Sequence, residues 1–322
     1  MAQPILGQTH IDVPLTNIST AYIQNQDNFV ASKIFPVVPV EKLSNKYYTF
    51  GKNAWFRDEA QMRADATESA GGGFDLSTDN YSCDVWAFHK DIGDNIRYNS
   101  DSQIDIDRAS TEFVTQRLLL KAEKQFVSTF FATSVWGTDV VGGSDFTVWS
   151  NLSSATPNED VETGKETILK NTGFKPNTLV LGYQVYRKLK NHPAIQNQIK
   201  YVQAVTGRTI TTDLLAQYFD VERVIVAQSI NATNNEGGTA AYNFVFGKHA
   251  LLLYVPPNPG LMTPSAGYTF SWTGVSGGLG STVGVKKFRM ENLAATRVEA
   301  EIAFGMKVVA TDLGYFFSGA VA

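Results

Sequence analysis

The chain has 322 residues, 43% of them hydrophobic and 18% charged, with a net charge of −4. This is enough apolar material for a substantial core, at a length that predicts about two domains of roughly 150 residues, and it excludes a fibrous or wholly disordered chain. Lysine and arginine are scattered, with short clusters only at 187–190 and 286–289, so no basic stripe for gripping DNA phosphates is visible and both clusters read as solvated faces. The single cysteine, Cys83, rules out an intramolecular disulfide and reads as a small strand residue.

The N-terminus lacks a basic region followed by an apolar one, so no signal peptide is expected. No run approaches the ~20 apolar residues of a spanning helix. The protein is expected to be cytosolic when made, and the Asn-x-Ser/Thr sequences at Asn17, Asn80, Asn151 and Asn231 then carry no meaning for glycosylation.

Residues 1–30 are polar and weakly periodic, with Pro4 and Pro14. They predict an extended arm, with a short helix over 17–29. Its Ile5, Leu6, Ile11, Val13 and Leu15 need a partner to cover them. The prolines in 35–40 leave only an edge strand or extended connector. Strands are expected at 46–50 and 74–90, joined through the polar stretch ending in Gly71, Gly72 and Gly73. Strict alternation puts Tyr81, Cys83, Val85, Ala87 and His89 on one face. Such a hairpin is unstable alone and needs a surface to lie on.

The clearest helix is predicted over 101–132, capped by Asp101 or Ser102, with Asp105 and Asp107 in its first turn. Ile106, Ala109, Phe113, Leu120, Val127 and Phe131 recur at helical spacing, and Leu118, Ala122 and Phe126 widen the stripe. Thirty residues make a rod of roughly 45 Å, suited to a spine. Residues 136–156 read as a loop or hairpin. A compact α/β region follows, with helices at 160–171, 183–190, 194–202 and 212–219, and strands at 178–181, 224–227, 242–246 and 249–255. The end predicts strands at 268–272, 285–290, 297–304 and 307–310, a glycine-rich stretch at 274–284, and a tail at 314–317. Val298, Ala300, Ile302 and Phe304 alternate with charged or small residues, so 297–304 should have one wet face.

Chemistry-bearing motifs are missing. No phosphate loop occurs, and 278–284 only approaches a dinucleotide loop, with its last glycine displaced by one. His10, His89, His192 and His249 are far apart, with no two-histidine metal spacing. Asp101, Asp105 and Asp107 lack the glycine and terminal glutamate of a calcium loop. Glu299 and Glu301 share a strand face and read as wet-face charges, and no nucleophile elbow is present. Catalytic, cofactor and metal residues are therefore expected to be none.

The order is arm, hairpin, long helix, α/β region and return strands. With it go the runs 30–40, 176–187, 191–193, 246–256 and 297–310. In this order they resemble the capsid proteins of tailed bacteriophages, the HK97-like fold shared with encapsulin shells. The resemblance implies an α+β subunit with an N-terminal arm at 1–44, an extended β-hairpin or E-loop at 45–92, a peripheral domain with spine helix at 93–156, an axial domain at 157–275, and return strands at 276–322. It implies a major capsid protein that self-assembles as pentamers and hexamers into an icosahedral head around double-stranded DNA, ending in the virion. The hairpin would lie on a neighbouring subunit and the arm would thread under another. The glycines at 71–73 and 277–280 would give subunits in unlike positions freedom to flex. No long charged helical segment precedes the arm, so a separate scaffolding protein is expected. Further expected partners are a portal protein, a decoration protein and packaged DNA, contacted non-specifically, with no membrane. The weak negative charge suits a DNA container whose inner wall is not strongly basic. The rival readings are an encapsulin-like compartment, an enzyme with an α/β domain at 157–260, and another virion part such as a tail protein.

Overall fold

The computed structural model describes residues 24–100, 105–202, 210–235, 237–260, 262–275, 277–279 and 283–322. The expected arm at 1–23 and the caps Asp101 and Ser102 lie outside them. Of the helix expected over 17–29, the described part is a 3-10 turn, Gln26–Asn28.

The first half runs α1 (Ala31–Ile34), β1 (Val37–Val40), β2 (Ser44–Phe50), β3 (Leu76–Ser82), β4 (Asp84–Gly93), α2 (Asp94–Asn99) and α3 (Ile106–Phe130). Pro39 lies in β1, which is the edge of its sheet, where its missing N–H costs no ladder bond. The hairpin expected over 45–90 is shorter than predicted. Only β2 and β3 pair with each other, from Ser44↔Ser82 to Phe50↔Leu76, and β4 leaves them for another sheet. The strand breaks at Cys83, whose N–H donates to Leu43 O at 2.8 Å. Parity changes there. Tyr81 and Cys83 are buried, but Val85 and Ala87 are exposed, and Trp86, Phe88 and Ile92 turn inward instead.

The spine helix, α3, has 25 residues, about 37 Å at 1.5 Å per residue. Asp105 caps it, its side chain accepting the Arg108 N–H at 2.9 Å. Its buried side is the four-residue row Ser110, Val114, Leu118, Ala122, Phe126 and Phe130, with Glu123 beside it. That corrects the expected stripe: Ala109 and Phe113 are exposed and Ile106, Leu120 and Val127 are half-buried, whereas Phe131 and the residues thought to widen it, Leu118, Ala122 and Phe126, are in the core. An i, i+4 row drifts slowly around the helix, so the contact face curves along the rod.

The second half holds β5 (Thr138–Val141), α4 (Pro157–Thr172), β6 (Thr178–Gly182), α5 (Tyr183–Lys190), α6 (Pro193–Val202), α7 (Thr212–Tyr218), β7 (Arg223–Ala227), β8 (Ile230–Ala232), β9 (Tyr242–Phe244), β10 (Ala250–Leu253), β11 (Gly267–Trp272), β12 (Gly284–Met290), β13 (Ala295–Val308) and β14 (Gly314–Ser318). The α4 helix ends on Gly173 at φ +74°, whose N–H reaches Leu169 O at 2.7 Å. The α7 helix begins on Thr211, whose hydroxyl accepts from Leu214.

Two five-stranded sheets organise the molecule. In one, β13 is central, flanked by β4 on one side and by β12 and β11 on the other. The two strands expected at 297–304 and 307–310 are this single strand of 14 residues. It runs through Gly305, where a Cβ would collide with the backbone of Ser82 and Cys83. The face carrying Val298, Ala300, Ile302 and Phe304 is buried against α3. Its other face is less wet than expected, since Glu301 and Ala303 are buried too.

The second sheet has the order β5-β14-β10-β6-β7. It corrects two expectations. Residues 138–141, in the region expected to be a loop or hairpin, are a strand parallel to β14. The expected tail at 314–317 is an interior strand, with Tyr315, Phe316 and Phe317 all buried. The strand expected at 242–246 joins β8 in a separate pair instead.

Candidate assembly surfaces

The β2–β3 hairpin projects a hydrophobic surface that its own subunit leaves largely uncovered. Tyr48, Trp55, Phe56, Phe74 and Leu76 are each more than half exposed. They are not scattered, since the Phe74 ring lies 5.5 Å from Trp55 and 6.0 Å from Phe50. Exposed large apolar groups held together in this way mark an interaction site. Lys52, in the 3-10 turn Lys52–Phe56, ties one side of the hairpin to its own subunit by pairing with Asp312.

The root of the hairpin is fixed. Tyr81 stacks on Phe270 of β11 at 4.5 Å. Lys307 of β13 donates to Asp79 at 2.7 Å, and Tyr47 donates to the same carboxylate at 3.0 Å. The Lys307 hydrogen bond holds the Asp79 carboxyl below its usual range. Burial, then Asp79, pushes the Tyr47 phenol up, so it stays protonated. A rigid root carrying an exposed end suits a contact made outside the subunit.

A second junction binds the chain preceding β1 to the spine. Glu123 is fully buried, and its Oε1 accepts the N–H groups of Val30 and Ala31 at 2.5 and 2.6 Å. Its Oε2 accepts from Ser229 at 3.0 Å. Burial raises this carboxyl to about 7, against the lowering effect of those hydrogen bonds and of Lys33. Sequence reading missed Glu123, which sits among apolar residues in a helix. The break in the apolar row was the available signal.

Ion pairs lock the other edge. Arg297 holds Asp91 at 2.7 Å, and Arg289 pairs with Asp94 at 2.7 Å through its second nitrogen. Asp107 takes both Arg97, at 2.8 Å, and Lys287, at 2.6 Å. Asp105 and Asp107 are thus a helix cap and an ion-pair acceptor.

The other residues singled out in the sequence do not converge. His10 lies outside the described residues. His89 lies 4.0 Å from Asp91. His192 is buried, and burial lowers its pKa. His249 stacks on Phe316 at 5.5 Å and its Nδ1 accepts the Gly319 N–H. The Cys83 thiol is buried and pushed up to about 11 by burial first, then by Asp84, which makes it a poor nucleophile. Glu301 is buried and pairs with Lys286. Gly278 bridges to Ala303 beside β13. Among the described residues no group of three or more His, Cys, Asp or Glu is placed to hold a metal, and no helix is long and apolar enough to cross a membrane.

No protein-family model matches the chain. It is 27% identical over 318 residues to the major capsid protein of Burkholderia phage BcepMu, covering 96% of each chain. The fold is similar to that of a phage-related protein from Bordetella bronchiseptica RB50, at TM-score 0.67 and 24% identity over 92% of this chain and 94% of that one. It is also similar to the capsid structure of cyanophage P-SCSP1u, at TM-score 0.62 and 11% identity over 96% and 92%. The chain has the α+β, HK97-like capsid fold and is a structural capsid subunit, related along nearly its whole length to phage major capsid proteins.

Proposed function

We propose that the chain assembles, as pentamers and hexamers, into an icosahedral phage head around double-stranded DNA. It is building material and has no catalytic role. The observation that carries this reading is the similarity to the BcepMu capsid protein over 96% of both chains. The clustered aromatics on the β2–β3 hairpin support it, because a subunit that meets copies of itself needs an apolar surface held ready outside its core.

In this reading the hairpin is the E-loop, lying on a neighbouring subunit. Residues 1–44 are the arm, α3 is the spine of a peripheral domain at 93–156, and 157–275 is the axial domain, whose sheet takes in β5 and β14 from outside those bounds. A separate scaffolding protein guides assembly, and a portal protein joins the shell. The chain is made in the host cytoplasm and ends in the virion.

Size-exclusion chromatography with light scattering tests this on the purified chain. Discrete rings of five or six subunits, or larger closed particles, are expected. A strict monomer that stays monomeric when co-produced with its scaffolding protein contradicts it.

A further inference from the structure

The basic cluster on β12 is already occupied: Lys286 pairs with Glu301, Lys287 with Asp107 and Arg289 with Asp94. A different set of cations is not. Arg117, Lys121 and Lys124 follow at spacings of four and three, which places them on one side of α3 with Phe113. Lys90 of β4 joins them from the neighbouring strand. Its Nζ lies 5.7 Å from the Phe113 ring centre, and the Arg117 guanidinium lies 5.1 Å from it. Lys121 sits 4.0 Å over Trp86. Phe113, Arg117 and Lys124 are exposed, and Lys90, Lys121 and Trp86 are half-buried.

Among the described residues, none of these four cations has a carboxylate oxygen within 4.0 Å. The acids nearby are engaged elsewhere. Glu112 holds Arg108 at 3.0 Å, Asp107 holds Arg97 and Lys287, and Asp91 holds Arg297. Glu123 is buried against Ala31 and Ser229. Asp84, at the far end of β4, is exposed. The result is a local positive row on a chain of net charge −4.

We propose that Lys90, Arg117, Lys121 and Lys124, set around Phe113 and Trp86, form a sequence-independent contact for the phosphate backbone of double-stranded DNA. The proposal rests on the capsid reading for the reason this chain meets DNA. The seven helical steps from Arg117 to Lys124 span about 10 Å, and a DNA strand presents a phosphate every ~3.4 Å along its axis, so the row matches about three phosphates. The aromatic rings lie beneath cations and are not free as stacking platforms, which favours duplex over single strand. No array of amide side chains accompanies the row to read bases.

The test is the binding of a labelled DNA duplex to the unassembled full-length chain across a range of salt, read by fluorescence anisotropy. The combined variant Arg117→Gln, Lys121→Gln, Lys124→Gln should bind about tenfold or more weakly at low salt. Its slope of log affinity against log salt should fall by about 0.9 per cation removed. Lys124→Gln alone, at an exposed position, should lower the slope by about 1 without touching the fold. Absence of duplex binding by the native chain, or an unchanged slope in both variants, overturns the contact. So does tighter binding of polyglutamate than of duplex, which would make the row a site for an acidic polypeptide. Shell formation is scored in parallel. Shells without duplex binding overturn this contact and leave the capsid reading standing, whereas duplex binding through the row without shells supports the contact and removes that reading.

Discussion

Glu123 Oε1 accepts the backbone N–H of Ala31 at 2.6 Å, joining the middle of the spine helix to a residue 92 positions earlier. The carboxylate does for α1 what a capping side chain ordinarily does from within the sequence, satisfying N–H groups that the helix start leaves open. Because its other oxygen takes Ser229, one buried acid fixes the start of α1, the spine and the turn that follows β7 together.

This junction is expected to respond to pH. Burial raises the Glu123 carboxyl from 4.5 to about 7 in the folded chain. Between those values the folded state holds a proton that the unfolded chain has lost, so stability is greatest below about 4.5 and falls as pH rises toward 7. The fall attributable to this group is on the order of 3 kcal/mol, at about 1.4 kcal/mol per pH unit. Glu123→Gln keeps an acceptor for Val30 and Ala31 and should flatten that slope. Urea midpoints of both chains across this range check it. Glu123→Ala strands the two N–H groups and should cost about 2–4 kcal/mol below about pH 4.5, a cost that shrinks as pH rises toward 7 because the native chain alone loses stability over that range.

Gly305 lies where β13 passes the Ser82–Cys83 backbone, and a Cβ there would meet Ser82 O. Gly305→Ala should therefore destabilise by about 1–3 kcal/mol and loosen the hairpin root. Thermal unfolding, together with protease sensitivity near Cys83, measures both effects.

Phe126 is fully buried and touches Phe35, Phe130, Phe131 and Phe246, with ring centres 4.9 to 6.0 Å apart. It connects the spine to both α1 and the α/β sheet. Phe126→Ala should cost about 3–5 kcal/mol, read as a lowered urea midpoint, whereas Phe113→Ala on the exposed side should cost under about 1 kcal/mol.

The hairpin aromatics predict the opposite pattern. Trp55→Ser with Phe74→Ser removes exposed surface and should leave unfolding within about 0.5 kcal/mol of the native chain. The same pair should abolish assembly, as seen by light scattering, if the hairpin lies on a neighbour.

Much of the fold was legible because local signals and tertiary context agree. The glycine stop of α4, the buried apolar runs of β6 and β10, and the proline-bearing edge of β1 all stand where pattern put them. The misreadings share a cause. The parity switch at Cys83 needs two partners, Leu43 for its N–H and β13 for the strand that follows. The strand at 314–318 is short and terminal, and only β5 and β10 make it an interior strand. The cation row draws from β4 and α3, 27 or more positions apart in sequence, so no run of charges announced it.

Negative-stain electron microscopy of the chain, co-produced with the proposed scaffolding protein, tests the central claim most directly. The account predicts closed shells of uniform diameter built from five- and six-fold units. A well-folded chain that yields no shells, tubes or rings under those conditions would contradict it.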